Sequence, residues 1–213
     1  MIVFKILSVT TNFFFTIPVA LTLAKKLYVH SIFWLLAGGS SYCYHLCKIT
    51  NNACFLPYYF LRMLDHIFAS TVVVVIGIEL FNFIRRIKWY WELFIMSIAL
   101  TINAIFVYVL GNGVCIAEQF VLIVICLILM FVLMFKKSGD ENNIKRDSYV
   151  HYVSSLFHEN TRRSWYFWGI TFIVLAYILF RIPQYISNIY FYIHPLWHTF
   201  GAFGASMVIV STI

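Results

Sequence analysis

Near the end of the chain, in the stretch 190–198 (YFYIHPLWH), His194 and His198 lie four residues apart. On a helix this spacing puts both imidazoles on one face, about 6 Å apart along the axis. The run that follows, 199–213, carries no charge. A titratable group at membrane depth costs roughly 2.5–3.5 kcal/mol, so two on one face ask for a shared partner, and a metal ion suits imidazole nitrogens. His45 supplies a third imidazole from an earlier apolar run, with Ser41 one helical turn before it and Asp65 at the start of the next run. Three neutral histidines with one open position form the ligand set of a catalytic zinc, which brings the pKa of a bound water to about 7. Asp65 is then placed to accept or orient that water's proton, and Ser41 to hydrogen-bond the water or a developing oxyanion. Such a site, beneath one leaflet of a membrane, suits hydrolysis of an amide or ester in a lipid.

Each of these residues also has a plainer reading. Asp65 has Arg62 and His66 as possible ion-pair partners, and Ser41 closes a run of small residues, 37–41, that suits helix packing. His30 and His66 read as interfacial hydrogen-bonding residues, and His151 and His158 as solvated ones. Glu79 and Glu92 read as interfacial partners of nearby basic residues.

The elements that must position the site follow from composition. Of 213 residues, 62% are hydrophobic and only 11% charged, far from the quarter expected of a soluble domain. The net charge of +7 sits between apolar runs, as topology determinants do, and leaves no basic face for nucleic acid. The expected fold is all-α: one seven-transmembrane helix bundle covering 1–213, with helices at about 2–24, 28–46, 58–84, 89–110, 114–135, 165–182 and 190–213. The first run is kept as a helix and not a cleaved signal, because Lys25 and Lys26 follow it instead of preceding it. Pro183 is expected to end the sixth helix, and 138–164 reads as a polar loop.

Lys25, Lys26, Arg85, Arg86, Lys88, Lys136, Lys137, Lys145, Arg146, Arg162 and Arg163 fall in alternate loops, against only Lys48, Arg62 and Arg181 in the opposite ones and Lys5 near the N-terminus. The N-terminus is therefore expected outside or luminal and the C-terminus cytosolic. That orientation brings Ser41, His45, Asp65, His194 and His198 to similar depth on the outer side.

The pattern Ser41-x-x-x-His45, Asp65 and His194-x-x-x-His198 resembles the CREST superfamily of seven-helix membrane hydrolases, which includes alkaline ceramidases, progestin and adiponectin receptors and Per1-type lipid remodelling proteins. Tyr44-His45-x-Cys47, Cys54 and Asn188-x-Tyr190-x-Tyr192-Ile193-His194-x-x-Trp197-His198 are most similar to the branch of myomaker and the post-GPI-attachment phospholipases. The resemblance implies zinc on His45, His194 and His198, with Asp65 and Ser41 beside it. The chain departs from that branch at Pro195, where a small residue is usual, and no cysteine follows Cys126. Cys47 and Cys54 would face an oxidising compartment, either bridged, pinning the loop between the second and third helices, or reduced at a helix boundary.

Three functions fit these residues: a zinc-dependent hydrolase of a membrane lipid, GPI-type phospholipid or ceramide-like; a membrane-remodelling or cell-fusion factor with a structural metal; and a receptor of the progestin/adiponectin type. The loop 136–164 carries no evident binding motif, which weighs against the receptor. The lipid bilayer is the expected setting, in the plasma membrane or a secretory-pathway membrane of the ER or Golgi.

Overall fold

A computed structural model describes residues 2–50, 54–82, 88–110, 149–185 and 189–212. They form helices only: α1 (Ile2–Thr10), a 3-10 turn (Thr11–Phe15), α2 (Thr16–Ala24), α3 (Tyr28–Ile49), α4 (Tyr58–Asn82), α5 (Trp89–Leu110), α6 (Tyr149–Tyr185) and α7 (Tyr190–Ser211). The helix expected at 114–135 lies outside the described residues. Among the described residues, four stretches are long and apolar enough to cross a membrane: Val3–Ala24, Tyr58–Leu80, Trp89–Val109 and Thr161–Ile182. The protein is thus an all-α, multi-pass membrane protein. Helices α3 and α7 are not among the four; the histidines, serines and glycines that give them chemistry also lower their mean hydropathy.

Three boundaries differ from expectation, each for a local reason. The first span is not one continuous helix. Pro18 has no N–H to offer the carbonyl a turn earlier, and the chain tightens into 3-10 geometry just before it. There Asn12 donates its side-chain amide to the Ser8 and Val9 carbonyls at 2.9 and 3.1 Å. The sixth helix starts at Tyr149, so the C-terminal part of the expected polar loop is helical, and it runs past Pro183 to Tyr185. Pro195 lies inside α7 between the site residues, where the carbonyl of residue 191 loses its helical donor.

Apolar exposure points to lipid. Along α5, Phe94, Ile98, Ile102, Ile105 and Val109 form an exposed stripe, while Met96, Asn103 and Val107 turn inward. A stripe of that kind is at home against acyl chains, not water. Hydroxyls in the spans bond back onto their own helices: Thr22 donates to the Pro18 carbonyl, Thr71 to Ile67 and Ser206 to Ala202, so few of them need outside partners.

The core runs along α7. Ala202, Ala205, Val208 and Ile209 pack with Trp34 and Ala37 of α3 and with Val72, Ile76 and Leu80 of α4. Lipid gives helices no hydrophobic reason to associate, so close fit of small residues takes that role. Its tightest point is between α6 and α7: a Cβ added at Gly204 would fall 2.8 Å from the Gly169 carbonyl oxygen, and one at Gly169 would fall 2.9 Å from that of Gly204. This approach fixes the rotation of α7, and with it the direction of its histidines.

Candidate metal centre

His45 belongs to the last turns of α3, and His194 and His198 to the first turns of α7. Their Nε2 atoms converge. His194 Nε2 stands 2.8 Å from His45 Nε2 and 3.0 Å from His198 Nε2, and the three candidate ligand atoms lie within 4.8 Å of one another. His45 is 1% exposed, His194 7% and His198 0%. Aromatic rings hold them in place. Tyr190 stacks on His194 at 4.5 Å, Phe15 lies 5.6 Å from His198, and Trp197 meets His198 edge-on at 4.9 Å.

This donor set fits a metal ion. A neutral imidazole Nε2 has either one N–H or one lone pair, so His194 Nε2 cannot serve two equally short contacts well. A cation between the rings takes all three lone pairs at once. Tetrahedral zinc with Zn–N of about 2.0–2.1 Å separates its ligands by about 3.3 Å, a few tenths of an ångström beyond the spacing here. The Nδ1 atoms of His45 and His198 are buried with no hydrogen-bond partner among the described residues. The cluster is a buried trio of histidines capable of coordinating a metal ion.

Asp65, in the second turn of α4, takes Ser41 as its side-chain hydrogen-bond partner and feels the charge of Lys48. Its alternative partners Arg62 and His66 do not replace Ser41 in that role. Ser41 is buried and precedes His45 by one turn, which links the carboxylate to the triad through α3. Cys47 and Cys54 are joined by a disulfide with Cα atoms 5.1 Å apart, tying the end of α3 to the entry of α4.

The sequence reading passed over a second buried cluster, at the other end of these helices. His30 Nδ1 meets Glu79 Oε1 at 2.5 Å, and His30 Nε2 lies 3.4 Å from Glu92 Oε2. Thr212 donates to Glu79 Oε2 at 3.1 Å and receives the Lys25 ammonium at 2.7 Å; that ammonium also bonds the Ile209 carbonyl. Glu79 and Glu92 are therefore buried and not at the rim, and Glu79 reaches the basic Lys25 through Thr212. Only their spacing from charged helix ends was visible in the sequence, and that pointed to the interface. Lys48 and Tyr190, which meet beside His194, entered that reading only through the charge pattern and the motif around His194.

The model of the family described as "Protein of unknown function (DUF3522)" matches residues 1–199, a stretch that includes all three histidines and Asp65. No curated protein matches the chain.

Proposed function

We propose that this chain, which belongs to the DUF3522 family, is an intramembrane zinc-dependent hydrolase of an acyl ester or amide in a membrane lipid. One observation carries the reading: three imidazole nitrogens from two helices converge in a buried site, and among the described residues no carboxylate or thiolate joins the convergent ligand atoms. A neutral three-histidine set leaves the charge of a bound zinc undiminished, and such an ion supplies a Lewis acid and a water acidic near neutrality. His45, His194 and His198 would hold it. Asp65 would take up the proton released there, and Ser41 would keep that carboxylate aimed by donating its hydroxyl to it. The resemblance to the CREST superfamily supports the same assignment. With it we propose seven spans, the N-terminus outside and the triad beneath the outer leaflet.

A second reading has its own support. The near-complete burial of His45 and His198 suits a structural metal in a membrane-remodelling or cell-fusion factor. One experiment separates the two. Purified wild type, Asp65→Asn and Ser41→Ala are reconstituted in vesicles, and released fatty acid and bound zinc are both measured. For a hydrolase, Asp65→Asn keeps its zinc and loses about 10²–10⁴-fold in turnover, and Ser41→Ala loses about tenfold. Zinc without any lipid turnover in the wild type favours the structural role.

A further inference from the structure

We propose that Tyr190 is a positioning residue of the metal centre: its ring, held by the Lys48 ammonium of α3, keeps His194 of α7 against His45. The inference rests on the reading of the triad as a metal centre, and it is the same whether that metal is catalytic or structural.

The first observation concerns the backbone around His194. Its Nε2 stands 2.8 Å from that of His45 and 3.0 Å from that of His198, so small shifts of this ring spoil both approaches. Yet the turn that carries it has weak backbone support. Ile189, at the N-cap of α7, makes no side-chain capping hydrogen bond, so the helix start lacks the acceptor that usually steadies it. Pro195 follows His194 directly and offers no N–H to the carbonyl of residue 191. His198 is better placed, one turn before Ala202 of the packed core. The turn from Tyr190 to His194 therefore depends on its side chains.

The structure supplies that support as a line of contacts. Tyr190 and His194 are four residues apart and share a helix face, and their rings stack at 4.5 Å with 23° between the planes. Lys48 Nζ lies 3.8 Å from the centroid of the Tyr190 ring. An ammonium this close to the face of a tyrosine is attracted by its π-electrons. Lys48 also lies three residues after His45, one turn along the same side of α3. One helix thus brings both a ligand, His45, and the cation that holds the ring beside another ligand. α3 and α7 meet twice, once through the paired imidazole nitrogens and once through Lys48 and Tyr190.

Charge alone would act in the opposite direction. A cation near the centre repels a bound metal ion, so a Lys48 that served only as a charge would weaken metal binding, and its removal would strengthen it. A cation that holds the Tyr190 ring strengthens metal binding through the position of His194. The contact is to the ring, so the role belongs to the aromatic face of Tyr190 and not to its hydroxyl.

The test uses the full-length protein in neutral detergent, titrated with zinc and, separately, with cobalt, whose visible spectrum reports coordination geometry. Tyr190→Leu is expected to bind zinc about 10–100-fold more weakly and to change the cobalt spectrum. Lys48→Gln is expected to weaken zinc binding about fivefold, and Tyr190→Phe and Lys48→Arg, which keep ring and cation, to stay within about twofold of wild type. Lys48→Gln added to Tyr190→Leu should bring no further loss, since the ring it would hold is gone. Thermal scans in chelator establish that each variant folds, and Lys48→Gln, at a half-buried position, carries the test where Tyr190→Leu does not fold. Zinc bound as tightly or more tightly by Lys48→Gln overturns the proposal, as does a loss in Tyr190→Phe equal to that in Tyr190→Leu. A wild type that takes up neither metal overturns it together with the reading of the triad as a metal centre. Metal bound alike by wild type and every variant overturns the positioning role alone.

Discussion

The Nε2 atoms of His45 and His194 stand 2.8 Å apart although 149 residues separate them in the chain. Nothing apolar would press two imidazole nitrogens together in a buried place, so the contact is best satisfied by a cation. Chelation is expected to lower the thermal midpoint of the wild type, since zinc at a hundred times its Kd would contribute about 2.7 kcal/mol. His198→Ala should be insensitive to chelator and lack zinc. Elemental analysis and thermal scans with and without chelator check both points, and stoichiometric zinc retained in His198→Ala would refute the site.

At the opposite end, His30 is held between two buried carboxylates. Removing one partner leaves the other charged and buried, which typically costs about 3–5 kcal/mol. Both His30→Ala and Glu79→Ala are therefore expected to be strongly destabilised. Zinc content should hold in the folded fraction, because His30 and His45 are about 22 Å apart along α3. Denaturation in mixed micelles with zinc analysis of the folded fraction tests this separation.

The crossing of α6 and α7 allows no side chain at Gly204. Gly204→Ala is expected to lose about 1–3 kcal/mol through overpacking against backbone. Gly204→Leu should displace α7 and its histidines, with loss of zinc. Gly39 is the control: a Cβ there meets nothing within 4 Å, so Gly39→Ala should match wild type in stability and zinc content.

The disulfide between Cys47 and Cys54 closes a short loop between α3 and α4. Its removal in Cys47→Ser is expected to cost about 2 kcal/mol by chain entropy. Thermal scans of wild type and variant, with and without reductant, measure the effect.

The sequence by itself determined what local spacing and hydropathy can determine. It placed His194 and His198 on one face of a helix, because four residues make about one turn. It marked a multi-pass helical membrane chain, because so little charge cannot cover a soluble surface. It also put Ser41 on the face of His45 and gave the start of α5 at Trp89. Where local chemistry competes with hydropathy it misled: Pro18 breaks the first span into 3-10 geometry, and the polar residues from Tyr149 onward continue as helix.

Tertiary structure alone decided which faces of different helices meet. Whether His45 looks toward α7 or toward lipid depends on the rotation of α3 about its own axis, which no periodicity within α3 specifies. That rotation is set by contacts between distant segments, Trp34 and Ala37 against the α7 core, while Gly169 against Gly204 sets that of α7. The same holds for Glu79, whose burial beside His30 follows from the register of α4 on α3. Side chains far apart in sequence become neighbours only once close-packed helices leave them one way to fit.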